Sequence, residues 1–197
     1  MANPEKMIEI RWHGRGGQGA VTSAEILSEA AISEGKFAQA FPSFGPERRG
    51  APVQAYVRIS PDHQIRVRSS ITEPDVVVVL DPGLLRIVNV ASGLKPGGVV
   101  IVNTIKTAAQ IRKEFNIQAT IATVGATKIA MELLGVPITN TTMIGAVIKV
   151  AEAVKLDSLV APVNKRFGRL GEKNTAALRR AYAETLIEEF AVDKARR

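Results

Sequence analysis

Met7-Ile8-Glu9-Ile10-Arg11-Trp12-His13-Gly14-Arg15-Gly16-Gly17-Gln18-Gly19-Ala20 is the stretch that decides the fold. A strand-like apolar run from Met7 to Trp12 enters a cluster of glycines, and a helical pattern opens at Ala20. Strand, tight turn and helix together begin an α/β fold. Glycine tolerates positive φ and close backbone approach, while a helix start directs unpaired N–H groups and positive partial charge at the turn before it. Gly14, Arg15, Gly16, Gly17, Gln18 and Gly19 are therefore the candidate binding residues, with an anion as guest. Arg15 and Gln18 add donors, and no acid is expected close enough to repel negative charge. The spacing Gly14-x-Gly16-x-x-Gly19 fits the dinucleotide fingerprint, but a strand-to-helix turn also recruits glycines for packing alone, and both readings stay open.

Working outward, 197 residues with 46% hydrophobic content suffice to bury one substantial core, so a single domain over 1–197 is expected. The chain has no cysteine and so supplies no thiolate to an iron–sulfur cluster or zinc site. Any redox centre it serves belongs to another chain. The N-terminus lacks an apolar signal core, and no apolar run approaches the roughly 20 residues of a membrane span. A soluble, cytoplasmic protein with no membrane partner is expected. A net charge of +7 favours anionic partners, but the basic residues are scattered and aromatics are few, which argues against nucleic acid.

Beyond the turn, the apolar spacing from Val21 to Ile32 marks a helix that Gly35 ends, and Phe37 to Phe41 reads as a short second strand. A nicotinamide-binding half carries an acid near the end of that strand. Gln39-Ala40-Phe41-Pro42-Ser43 has none, which disfavours NAD. Phe41 to Gly50 then places aromatics, prolines and an Arg pair in one loop, the composition of an interface anchor. Phe44, Arg48 and Arg49 are its candidate interface residues, against the alternative that the aromatics cap the core and the arginines are solvated.

Val53–Ile59 and Ile65–Arg68, joined by a polar connection with His63 at its tip, read as an antiparallel hairpin. Asp75 to Leu80, apolar without interruption from Val76, carries the signature of a central parallel strand covered on both faces. Asp81 follows at its carboxyl end, placed either to bind a ligand or to start the next helical stretch. Strands at Val99–Val102 and Gln118–Ala122 flank a helix from Thr107 to Phe115. From Gly125 the pattern is helical: Lys128–Leu134, Thr141–Val154 with Thr139 or Asn140 as cap, Ser158–Phe167 and Lys173–Phe190. The expected fold is α/β: a Rossmann-like three-layer open sheet, mostly parallel with an antiparallel hairpin, and a helical C-terminal portion.

The catalytic inventory is thin, with no Cys nucleophile, only His13 and His63 among histidines, and neither an HExxH zinc motif nor a lysine-bearing phosphate loop. His13 is the one candidate for a chemical role, set against the commoner buried structural histidine. No catalytic residue and no metal ligand is assigned.

Ile8 to Gly19, followed by Phe41-Pro42-Ser43-Phe44-Gly45-Pro46-Glu47-Arg48-Arg49-Gly50-Ala51-Pro52, resembles the gamma subunits of the 2-oxoacid:ferredoxin oxidoreductases, of the pyruvate (pyruvate synthase) type. The resemblance extends through Asp75–Asp81, Thr141-Thr142-Met143-Ile144-Gly145-Ala146 and Asn174-Thr175-Ala176-Ala177. It implies a complex with alpha, beta and delta subunits that decarboxylates a 2-oxoacid on thiamine diphosphate with magnesium, passes electrons through 4Fe-4S clusters to ferredoxin, and uses coenzyme A as acyl acceptor. In this family those cofactors sit on partner subunits, and the gamma chain contributes to assembly and to the coenzyme A side. A free-standing nucleotide- or coenzyme A-binding module and a 2-oxoisovalerate-type homologue remain the alternatives.

Overall fold

The computed structural model describes residues 7–43 and 50–190. In chain order its elements are β1 (Ile8–Arg15), α1 (Ala20–Ser33), β2 (Phe37–Pro42), β3 (Pro52–Ser60), β4 (Val76–Val79), β5 (Val99–Asn103), α2 (Ala108–Phe115), β6 (Thr120–Val124), α3 (Ala126–Leu134), α4 (Asn140–Ala151), α5 (Val160–Phe167), α6 (Gly171–Glu184) and β7 (Leu186–Glu188). The seven strands form one sheet in the order β2-β3-β1-β4-β5-β6-β7. β1, β4, β5 and β6 pair in parallel, β3 lies antiparallel between β1 and β2, and β7 closes the far edge antiparallel to β6. Five strands thus run one way and β3 and β7 the other.

The side-chain alternation of each strand sorts residues into two cores. Ile8, Ile10 and Trp12 of β1 and Val76 and Val78 of β4 turn toward the layer made by α1, α3, α4, α5 and α6. Val77 and Val79 turn the opposite way, with Val100 and Val102, under α2 and the 3-10 turn Pro82–Arg86. That explains the unbroken valine run: β4 is buried on both faces, so neither side selects a polar residue. At the centre of the helical layer α4 crosses α6 in close contact. A Cβ at Gly145 would run into the Leu178 carbonyl oxygen, so only glycine allows this approach. Thr107 and Gln110 form a capping box that starts α2 where the sequence places it.

Two expectations are corrected. The antiparallel hairpin is β2–β3, and residues 65–68 form no strand. Arg58 Nη1 donates to the Val67 carbonyl (3.3 Å), and Gln39, its amide oriented by its neighbours, donates to the same oxygen (2.7 Å) and accepts from Arg68 Nε (3.2 Å). These bonds hold the segment over a face of the sheet. The final helix ends at Glu184 because Thr185, extended at φ −68° and ψ 122°, returns its hydroxyl to the Ala181 carbonyl (2.6 Å) and leads into β7. Moreover, β2 lies beyond β3 and so does not neighbour β1 as the second strand of a dinucleotide-binding half does.

Candidate functional site

β1 runs through His13 and Gly14 to Arg15, so the tight part of the turn is Gly16-Gly17-Gln18-Gly19. Gly17 (φ 96°) and Gly19 (φ 79°) are the two residues whose conformation requires glycine, and Gly19 caps α1. The turn is braced from within: Gln18 N donates to the Arg15 carbonyl (2.9 Å) and Arg15 N to Gln18 Oε1 (2.7 Å). Gly16 clasps the far end of the aromatic, Arg-rich loop through two backbone bonds, its N–H to the Ala51 carbonyl (2.9 Å) and its carbonyl from Gly50 N (3.2 Å). Both stretches singled out in the sequence therefore meet. Phe44, Arg48 and Arg49 themselves lie outside the described residues.

The charge at this turn differs from expectation. Asp81, at the carboxyl end of the β4 run, places Oδ2 2.6 Å from Arg15 Nε and 3.3 Å from Gln18 Nε2, and its Oδ1 accepts from Gly83 N (2.8 Å). One carboxylate starts the 3-10 turn and neutralises the arginine of the glycine turn. The expectation that no acid stands nearby is overturned, because parallel strands β1 and β4 end side by side and bring residues 66 positions apart into contact. Arg15 Nη1 reaches on to the Gly50 carbonyl (3.2 Å).

Further groups that the sequence did not place at the turn complete this edge of the sheet. Asn140, at the start of α4, lies against Gly19 so closely that a Cβ there would meet its Nδ2 at 2.6 Å, and its carbonyl accepts from Ser23 Oγ (3.1 Å). Asn103 ties the strand ends together, donating to the Leu80 carbonyl (2.9 Å) and Thr127 Oγ1 (2.9 Å) and accepting from Thr127 N (3.1 Å).

His13 is a buried structural residue, 3% exposed. Its Nε2 accepts from Arg11 Nε (3.1 Å), which places the ring proton on Nδ1. Burial, and then the Arg11 charge, push the imidazole down to about 4, so it is neutral at pH 7. Arg11 itself is 6% exposed and spends its remaining N–H groups on the carbonyls of Ile71, Thr72, Val90 and Ser92. His63 is exposed and paired with Asp62 (2.6 Å). Among the described residues no group of three His, Cys, Asp or Glu side chains is placed to hold a metal, and no helix is long and apolar enough to cross a membrane. A cleft of about 1150 Å³, lined by Ile87, Lys95, Phe115, Ile117 and Phe190, lies at the amino ends of β5 and β6, away from the glycine turn.

A mixed α/β sheet whose glycine turn grips a neighbouring loop defines a Rossmann-like α/β domain. The chain belongs to the pyruvate ferredoxin/flavodoxin oxidoreductase family, which it matches over residues 9–184. It is 56% identical over 186 residues to a protein of Thermococcus litoralis named pyruvate/ketoisovalerate oxidoreductases common subunit gamma, spanning 93% of this chain and 100% of that one. It is 54% identical over 177 residues to pyruvate synthase subunit PorC of Methanothermobacter marburgensis, spanning 89% and 96%. The crystal structure of pyruvate oxidoreductase subunit PORC from Thermotoga maritima superposes with a TM-score of 0.83 at 39% identity, over 93% of this chain and 99% of that one. The chain is accordingly a gamma-type subunit of a 2-oxoacid:ferredoxin oxidoreductase.

Proposed function

We propose that this chain acts, as one gamma-type domain over 1–197, in a cytoplasmic pyruvate synthase with alpha, beta and delta subunits. The complex converts pyruvate, coenzyme A and oxidised ferredoxin into acetyl-CoA, carbon dioxide and reduced ferredoxin. The observation that carries this reading is the match to gamma and PorC chains over nearly their whole length. The chain lacks cysteine, and its described residues offer no metal-binding group, so its donor set does not fit a 4Fe-4S cluster or magnesium-bound thiamine diphosphate. Those cofactors belong to partner subunits, and no step of that chemistry is assigned to residues of this chain.

Its own contribution is to assembly and to the coenzyme A side. In this reading Gly14, Arg15, Gly16, Gly17, Gln18 and Gly19 meet a coenzyme A phosphate or a partner's carboxylate, and Phe44, Arg48 and Arg49 anchor the loop to another subunit. The Arg15–Asp81 pair adds a condition: an incoming anion competes with Asp81 for Arg15. A second reading is favoured by the Thermococcus litoralis relative, whose name assigns it to pyruvate and ketoisovalerate enzymes together. In that reading the same gamma chain serves both enzymes.

Tandem-affinity purification of the tagged chain from its native source tests the proposal. Recovery with larger chains bearing thiamine diphosphate and clusters is expected, and a second set of such chains marks the shared-subunit reading. Recovery of the chain alone, under conditions where a control complex survives, overturns it.

A further inference from the structure

β2 is an edge strand, and it is an unguarded one. Edge strands are normally blunted by charge, proline or a bulge within the exposed row. Phe37-Ala38-Gln39-Ala40-Phe41 carries no charge, and Pro42 comes only at its end. The ladder fixes which groups point outward. Ser43 N donates to the Gln54 carbonyl (2.9 Å), and the pairing continues through Phe41–Tyr56, Gln39–Arg58 and Phe37–Ser60, so odd-numbered residues face β3. The N–H and carbonyl groups of Ala38 and Ala40 face away from it, and among the described residues they have no partner. Beside this edge stand three exposed apolar side chains: Phe37 (43%), Val67 (56%) on the segment bonded to Gln39, and Ile32 (56%) on the helix packed against β2.

We propose that this edge pairs with the same edge of a second copy of the chain, antiparallel about a two-fold axis through Gln39. The sequence itself selects the occupant, because Phe37-Ala38-Gln39-Ala40-Phe41 reads the same in both directions about Gln39. A strand laid antiparallel on its own copy in this register puts Phe37 opposite Phe41, Ala38 opposite Ala40 and Gln39 opposite Gln39. Ala38 and Ala40 of each copy then exchange N–H and carbonyl bonds, the aromatic pairs flank them, and the paired segments Phe37–Phe41 carry no charge themselves. The register also stops where donors run out: Pro42 has no N–H, and the Lys36 N–H opposite it is spent on the Ala31 carbonyl (3.1 Å). The isologous contact closes on itself and joins two sheets into one. This pairing is independent of what the glycine turn binds.

The test uses the full chain, whose lack of cysteine makes an introduced thiol unique. In this register Gln39 sits in a non-hydrogen-bonded antiparallel pair, whose Cα separation of about 4.5 Å falls within disulfide range. Gln39→Cys should therefore cross-link to a dimer under mild oxidation, far faster than Ile105→Cys, a collision control at a highly accessible site (86% exposed). Sedimentation velocity should show a wild-type dimer. Ala40→Pro, which removes an outward N–H and leaves the β3 ladder intact, should raise its dissociation constant at least about tenfold. Should Ala40→Pro melt early, Phe37→Lys gives the same comparison at an exposed side chain. A monomeric wild type, or a dimer that ignores these changes and cross-links no faster through Gln39→Cys than through the control variant, overturns the proposal.

Discussion

Arg15 Nε lies 2.6 Å from Asp81 Oδ2, so the cation of the glycine turn is already paired with a carboxylate from the adjacent parallel strand. Both side chains keep partial exposure, 34% and 22%, and solvent screening limits the pair to about 1 kcal/mol or less of stability. Asp81→Asn should leave the melting temperature nearly unchanged and strengthen anion binding at the turn. Titration with inorganic phosphate and with coenzyme A, followed by calorimetry, checks this. Unchanged affinity for both would return the turn to a purely structural role.

Arg15→Ala removes the positive partner of the same pair and also the bond to the Gly50 carbonyl. In the assembled complex it should raise the coenzyme A requirement or loosen the subunit while leaving pyruvate decarboxylation largely intact. Steady-state kinetics with varied coenzyme A, beside a decarboxylation assay, separates these outcomes. Wild-type kinetics and assembly would contradict it.

His13 predicts an acid limb. Its folded value of about 4 lies below the unfolded 6.5, so below 6.5 the unfolded chain binds a proton that the native chain refuses. The contribution is complete above pH 6.5 and is lost as pH falls toward 4, by about 3 kcal/mol in all. Urea midpoints at pH 7 and pH 4.5 should converge in His13→Gln, which keeps an acceptor for Arg11 Nε without titrating. His13→Leu, leaving that N–H unpartnered in the interior, should cost about 1–3 kcal/mol at pH 7.

Gly145→Ala drives a methyl group into the Leu178 backbone at the α4–α6 crossing. A loss of about 1–3 kcal/mol is expected, measured as a lowered urea midpoint. Gly97→Ala is a weaker change: its Cβ meets open space, and the cost is confined to a φ of 80°.

Much of this architecture was legible in the sequence, and the reason differs by element. The valines of β4 and the spacing of α1 report burial directly, because a strand covered on both faces and a helix covered on one leave distinct periods. β1 extends past Trp12, where the sequence reads the onset of the glycine cluster, through Gly14 to Arg15. Its residues alternate Ile8, Ile10, Trp12 toward the helices and Glu9, Arg11, His13, Arg15 toward a polar row that is buried at Arg11 and His13 and half-buried at Glu9 and Arg15. That row is satisfied by carbonyls of residues 71, 72, 90 and 92 and by Asp81, all distant in sequence, so no local pattern announces it. β7 escaped because three exposed residues after a helix have too short a period to separate from a fraying helix end. Of the two roles the sequence offers Asp81, helix entry is the one seen, Oδ1 starting the 3-10 turn, while Oδ2 holds Arg15, a partner that only the sheet brings near.

Gly16 holds Gly50 and Ala51, where the loop from Phe41 ends, beside the glycine turn. Arg48→Ala with Arg49→Ala should weaken assembly and leave the melting temperature of the isolated chain nearly unchanged. Co-purification yield against differential scanning calorimetry checks it. A large stability loss with normal assembly would support the core-capping reading.

The proposed function puts the redox chemistry on partner subunits, since a chain without cysteine supplies no thiolate to a cluster. The decisive comparison is iron analysis and the visible spectrum of the purified chain, set beside those of the complex isolated through it. A colourless, iron-free chain inactive on pyruvate, recovered from cells in a brown complex that reduces ferredoxin with pyruvate and coenzyme A, is the expected result. Stoichiometric iron or pyruvate oxidation by the chain alone would contradict it.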